Sequence, residues 1–150
     1  MFKKELINFN IQARNWEDAL ENTCNILEKN GYIEHKYINK LINITKEIGP
    51  YYIITNNVGI PHLRPDEGVI KSGLAFFKLR NKVDFLGNKI QYLIYILALN
   101  SNEHIDKIQS ITSILEDKNL FESLNNNKFN IDEFIKYINN KGDVKLWKEV

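Results

Sequence analysis

Residues Gln91 to Leu99 read Gln-Tyr-Leu-Ile-Tyr-Ile-Leu-Ala-Leu, a run that is apolar almost throughout. Such a run does not fit a sheet with one wet face. It requires cover on both sides, as a central strand does. The chain supplies that cover as amphipathic helical patterns. Asn15 is placed to cap a helix beginning at Trp16, with Asp18 in its first turn. Trp16, Ala19, Leu20, Cys24 and Leu27 then share one face, and Gly31 stands where a C-terminal glycine would end the helix. A second helix is expected from Glu34 to Ile48, burying Tyr37, Ile38, Leu41, Ile42 and Thr45, with Gly49-Pro50 as its stop.

Tyr51 to Thr55 reads as a short strand, broken by Asn56-Asn57, and Gly73 to Leu79 as another. Phe9 to Ala13 is a candidate edge strand. Asn102 is the expected cap of a third helix with Ile105, Ile108, Ile111, Thr112 and Leu115 inward. Shorter helices are expected at Asp117 to Leu124 and Ile131 to Asn139. The tail from Asp143 to Val150, carrying Trp147, either docks on the domain or frays. Intermixed helix and strand patterns predict an α/β fold: a three-layer domain, with a mixed β-sheet and helices on both faces. With 150 residues and no Pro/Gly/Ser-rich linker, residues 1–150 are expected to form one domain.

Charge narrows the function classes. Acidic and basic residues nearly balance, for a formal net charge of +1, which is not the clustered basic profile of a nucleic-acid-binding protein. The Tyr92–Leu99 run is far short of the ~20 residues of a membrane helix, and the N-terminus does not read as a signal peptide, so no direct membrane insertion is expected. The lone Cys24 forms no internal disulfide, which suits a reducing, cytoplasmic setting, and on its apolar helical face it reads as a buried small hydrophobe. Three scattered histidines and one cysteine show no ligand spacing, so neither a metal nor a cofactor is expected. His35 reads as a surface residue.

The stretch richest in chemical possibility is Asn57-Val58-Gly59-Ile60-Pro61-His62-Leu63-Arg64-Pro65-Asp66-Glu67-Gly68-Val69. It joins two strands, and loops on a rigid scaffold are where functional residues concentrate. Pro61 fixes the chain just before His62, and Pro65 stiffens it just after, so the imidazole is positioned. Taken alone, His62 reads more readily as a surface loop histidine than as a functional one.

Together with Gly49-Pro50-Tyr51, Trp16-Glu17-Asp18-Ala19, Asn30-Gly31-Tyr32-Ile33, Leu97-Ala98-Leu99 and Glu103-His104, this stretch resembles the mannitol/fructose/ascorbate-type enzyme IIA family of the bacterial sugar phosphotransferase system. The resemblance is closest to the ascorbate-type branch, whose loop reads Gly-x-Ala-Leu-Pro-His-Ala-Arg-Pro-Glu-x-Gly-Val. Two departures stand in the loop: Asn57 takes the place of the first glycine and Gly59 that of the alanine. Asparagine is among the few residues that tolerate positive φ, so the loop shape is expected to survive.

The resemblance implies that His62 is the phosphorylated nucleophile and His104 a catalytic companion donating a hydrogen bond to the phosphoryl oxygens. His104 is expected at the start of a helix after the central strand, where anions are favoured. Arg64 offers a forked donor to phosphate, although an exposed loop arginine accounts for it as well. Lys46 matches a basic position that the mannitol branch fills with arginine; a last-turn lysine complementing the helix dipole accounts for it equally. The implied partners are the histidine phosphocarrier protein (HPr) as donor, a cysteine of an enzyme IIB (of the ascorbate type) as acceptor, and indirectly a membrane enzyme IIC. The surface docking them is expected to have an apolar centre at Ile60 and Leu63. The alternative is a regulatory phosphoacceptor that controls transcription or another protein through its phosphorylation state.

Overall fold

The computed structural model describes residues 2–149, with side chains from 2 to 140. A five-stranded mixed sheet has the order β1-β4-β5-β3-β2. The strands are β1 (Ile7–Ile11), β2 (Ile53–Thr55), β3 (Asn57–Gly59), β4 (Gly73–Phe85) and β5 (Asn88–Leu97). β1 runs parallel to β4, β4 antiparallel to β5, β5 parallel to β3, and β3 antiparallel to β2. The helices are α1 (Trp16–Lys29), α2 (His35–Ile48), α3 (Ser101–Leu115), α4 (Lys118–Asn125) and α5 (Ile131–Glu149).

The alternation of side chains along the central strands builds the three layers. Ala75, Phe77, Leu79, Leu93, Tyr95 and Leu97 pack with Leu20, Leu27, Tyr37 and Leu41 of α1 and α2. Leu74, Phe76, Tyr92, Ile94 and Ile96 pack with Ile111, Ile114, Leu120, Leu124 and Phe134 of α3 to α5. β5 is therefore covered on both faces, as its apolar run requires. Two hydroxyl pairs lie within the α1–α2 layer: the Thr23 and Tyr95 hydroxyls are 2.6 Å apart, and those of Thr45 and Tyr52 3.0 Å. Cys24 is fully buried beneath Tyr95, and burial pushes its thiol up to about 12, so it is chemically quiet.

Asn15 caps α1 as expected, its side chain accepting from the Asp18 N–H at 2.8 Å. Gly31 takes φ +81 just past the helix. Other elements differ from expectation. Tyr51 and Tyr52 form a turn, and β2 starts at Ile53. The chain reverses at Asn56 into β3, a strand too short to leave a sequence pattern. β4 runs on to Phe85 and turns into β5 through Leu86 (φ +53) and Gly87 (φ +103), the pair of positive φ values of a tight hairpin.

α3 is capped by Asn100, which accepts from the Glu103 N–H at 2.9 Å; the expected cap Asn102 lies inside the helix. Ile105, Ile108 and Thr112 are exposed, and Ile111 and Ile114 are the buried residues of α3. The reason is that the first turns of α3 flank the cavity beyond the sheet's end, and only the later turns lie over its face. α5 also extends beyond Asn139; the side chain of Trp147 lies outside the described residues.

Candidate active site

Topology brings three distant segments to one end of the sheet. β3 and β5 are parallel, so their carboxyl ends lie side by side, the position where sites form in open α/β sheets. His62 follows β3, and His104 follows β5 in the first turn of α3. β2 is antiparallel to β3, so the residues entering β2, Tyr51 and Tyr52, arrive at that same end. A cavity of about 500 Å³ results, lined by His62, His104, Tyr51, Arg64, Glu67, Ser101 and the apolar Ile44, Ile48, Leu63, Pro65 and Ile105.

The loop before His62 is tied down by backbone bonds. The Ile60 N–H donates to the Tyr52 carbonyl at 2.9 Å, and the Ile96 N–H to the Pro61 carbonyl at 3.4 Å. Asn57 takes φ +72, the conformation for which an asparagine stands in for glycine. A Cβ on Gly59 would sit 3.2 Å from Leu93 Cδ2, a tight contact that glycine relieves.

His62 is half-buried, and its Nδ1 lies 2.8 Å from the Ile60 carbonyl oxygen. A carbonyl only accepts, so in the neutral ring Nδ1 carries the proton and Nε2 the free lone pair. The Tyr51 hydroxyl donates to the His62 carbonyl at 2.6 Å. The Tyr51 ring stands edge-on to the imidazole with centroids 5.5 Å apart. The His104 ring lies 5.4 Å from the His62 ring, tilted by 60°. Partial burial, then the neighbouring His62, holds the His104 imidazole below its usual value of 6.5.

The four residues expected at the site fare differently. His62, His104 and Arg64 line one cavity. Arg64 Nε donates to Glu67 Oε1 at 3.0 Å, and this carboxylate raises the guanidinium's pKa further. Lys46 is not among the cavity's lining residues; its Nζ lies 3.8 Å from Glu17 of α1. Helical spacing explains this, because Ile44 and Ile48 face the cavity and the residue midway between them points away. Ile60 and Leu63 are 2% and 5% exposed, so neither provides the apolar docking centre expected of them. Ile60 packs among the α3–α5 layer and Leu63 among the α1–α2 layer. The exposed apolar surface comes instead from Ile48 at 65%, Ile105 at 54% and Tyr51 at 41%. The sequence signal for Tyr51 was present in Gly49-Pro50-Tyr51; Ile105 reads from periodicity as inward.

The chain as a whole is similar to known proteins. The model of the phosphoenolpyruvate-dependent sugar phosphotransferase system family EIIA 2 matches residues 1–141. The mannitol-specific cryptic phosphotransferase enzyme IIA component of Escherichia coli (strain K12) is 33% identical over 126 residues, covering 82% of this chain and 85% of that protein. The ascorbate-specific EIIA component of Shigella boydii serotype 4 (strain Sb227) is 28% identical over 122 residues, 79% of each chain. The Escherichia coli mannitol enzyme IIA, solved as a complex with phosphorylated mannitol enzyme IIB, is similar with a TM-score of 0.75 at 25% identity, over 93% of this chain and 98% of that one. Among the described residues no helix is long and apolar enough to cross a membrane. With the match covering all but the last few residues, this chain belongs to the enzyme IIA type 2 family of the sugar phosphotransferase system, phosphotransferases that act through a phosphohistidine.

Proposed function

We propose that His62 is the phosphohistidine of this protein, and that it takes the phosphoryl group from HPr and hands it to an enzyme IIB. The observation that carries this reading is the bond from His62 Nδ1–H to the Ile60 carbonyl, which leaves Nε2 as the nucleophile. In the first step the Nε2 lone pair attacks phosphorus. A new N–P bond forms as the donor's N–P bond breaks, and the donor imidazole keeps that electron pair. His62 retains its Nδ1 proton throughout, and Ile60 stabilises the charge that the ring gains. In the second step a cysteine thiolate of enzyme IIB attacks phosphorus, an S–P bond forms, and the N–P electron pair returns to Nε2.

Positioning and charge stabilisation carry most of such a transfer. His104 donates a ring N–H to the phosphoryl oxygens, and Arg64 exchanges its bond with Glu67 for one to the incoming dianion. Lys46, paired with Glu17, contributes at most a distant positive charge. Ile48, Tyr51 and Ile105 form the apolar surface on which the two partners dock in turn.

The enzyme IIB partner in this reading is of the ascorbate type, on the strength of Gly49-Pro50-Tyr51 and the Arg64–Gly68 run; whole-chain identity is higher to the mannitol-specific relative. The sugar itself is bound elsewhere, so the choice rests on enzyme IIB docking. The test is transfer from the labelled protein to purified ascorbate-type and mannitol-type enzyme IIB domains. Faster transfer to the ascorbate type is expected, and faster transfer to the mannitol type would overturn that assignment. The role of His62 is tested separately by its own substitution.

A further inference from the structure

The Gly49-Pro50-Tyr51 segment has no part in the transfer chemistry, yet its conformation is costly to replace. Gly49 ends α2 with φ +87 and ψ 178, a region that is open in practice to glycine alone. Its N–H still bonds the Thr45 carbonyl at 2.9 Å, so the helix is closed and the chain then leaves it abruptly. The Tyr51 N–H returns to the Gly49 carbonyl at 2.9 Å and the Ile53 N–H to the Pro50 carbonyl at 3.1 Å. These bonds fold residues 49 to 53 into a compact turn that delivers Tyr51 onto His62, eleven residues further along the chain.

The two contacts that Tyr51 makes there are complementary. Its hydroxyl grips the backbone of His62 through the carbonyl at 2.6 Å, while its ring closes one side of the imidazole edge-on at 5.5 Å. Ile60 holds the other functional end of the residue through Nδ1 at 2.8 Å. Neither bond alone orients the nucleophile. The Ile60 bond lets the ring pivot if the His62 backbone shifts, and the Tyr51 bond removes that shift. The Tyr51 ring packs on Tyr52 at 5.3 Å, and Tyr52 in turn is fully buried and bonded to Thr45, so the clamp is anchored in the core.

We propose that Tyr51 is a positioning residue for the phosphoryl transfer, holding the His62 backbone so that Nε2 points at the incoming phosphorus. The proposal rests on His62 being the phosphoryl acceptor. Tyr51 touches neither the phosphoryl group nor the proton on Nδ1. Its contribution is to keep one orientation of the ring, and misplacing a reacting group is expensive in rate even when binding is intact.

The test uses Tyr51→Phe, which keeps the ring and removes only the hydroxyl, and Tyr51→Leu, which removes both contacts. Phosphorylation is followed with phosphoenolpyruvate, enzyme I and HPr, alongside the ¹⁵N spectrum of the His62 imidazole. For Tyr51→Phe the thermal midpoint and the KM for phosphorylated HPr are expected to stay near wild type. Its kcat should fall about tenfold, the scale of one lost neutral hydrogen bond. The His62 ring nitrogens should move from the two separated shifts of a held Nδ1–H tautomer toward averaged values. Tyr51→Leu should lose more kcat than Tyr51→Phe. Wild-type kcat and unchanged ring shifts in Tyr51→Phe would overturn the proposal, as would a loss confined to KM, which would make Tyr51 a docking residue only. Labelling of His62→Ala would instead overturn the underlying reading of the acceptor.

Discussion

His62 and His104, 42 positions apart in the chain, face one another with ring centroids 5.4 Å apart and planes tilted by 60°. Partial burial, then the neighbouring His62, holds the His104 imidazole below its ordinary value. Near neutral pH His104 therefore faces His62 as a neutral ring with one N–H to donate. The placement follows from parallel strands β3 and β5 ending together.

Substituting His62 by alanine should abolish acid-labile phosphorylation by enzyme I and HPr, with little change in thermal midpoint because the side chain is only half-buried. Labelling equal to wild type would show that the acceptor lies elsewhere.

For His104→Ala the expectation is a protein that still accepts the phosphoryl group but exchanges it slowly. Loss of one preorganised donor should cost on the order of a hundredfold in rate, measurable by rapid quench in both directions. Phosphorylation also places close to two negative charges beside His104, so its ¹⁵N titration midpoint should rise in the phosphorylated protein. A midpoint indifferent to phosphorylation would remove His104 from the phosphoryl environment.

Acid should expose the same residue through stability. The folded pKa of His104 lies below its unfolded value of 6.5, so the unfolded chain binds the proton more readily in that window. Stability from keeping His104 neutral is present above 6.5 and is lost as pH falls through the lower folded value. The drop in thermal midpoint from about pH 7.5 to about pH 5.5 should thus be smaller in His104→Gln than in wild type. An equal drop would contradict the assigned direction.

Ile48 and Ile105 are exposed at 65% and 54% beside the cavity, an unfavourable place for apolar side chains unless a partner covers them. Ile48→Asp and Ile105→Asp should raise KM for phosphorylated HPr about tenfold while leaving the fold and kcat near wild type. Unchanged KM in both variants would move the docking surface away from this rim.

Gly68 closes the short 3-10 turn Pro65–Glu67 with φ +115, and a Cβ there would lie 3.2 Å from Tyr37 Cβ and 3.3 Å from the Tyr37 backbone nitrogen. Backbone strain and contact together make Gly68→Ala destabilising by about 1–3 kcal/mol in urea denaturation. Because the turn carries Arg64 and Glu67, phosphorylation should slow as well. A stability within error of wild type would mean the loop relaxes freely.

What the sequence determined by itself is the part of the protein governed by local chemistry and strong period. The faces of α1 and α2 and the Asn15 cap were legible in residue spacing and in one polar side chain. The doubly covered β5 followed from its apolar run, and the stiffened loop from Pro61 and Pro65. That Lys46 points away from Ile44 and Ile48 was also implicit in helical spacing. Only the tertiary structure decided the rest. β3 is three residues long, too short for any pattern, and exists because β5 offers it a parallel partner. Ile60 and Leu63 look like surface neighbours of His62, but residues three apart in an extended segment point to opposite layers, and each found a core. Ile105 and Ile108 carry the period of a buried face and are exposed because the start of α3 overhangs the end of the sheet. The clamp of Tyr51 on His62 belongs to the same class, since nothing in either segment records that antiparallel β2 and β3 bring them to one end.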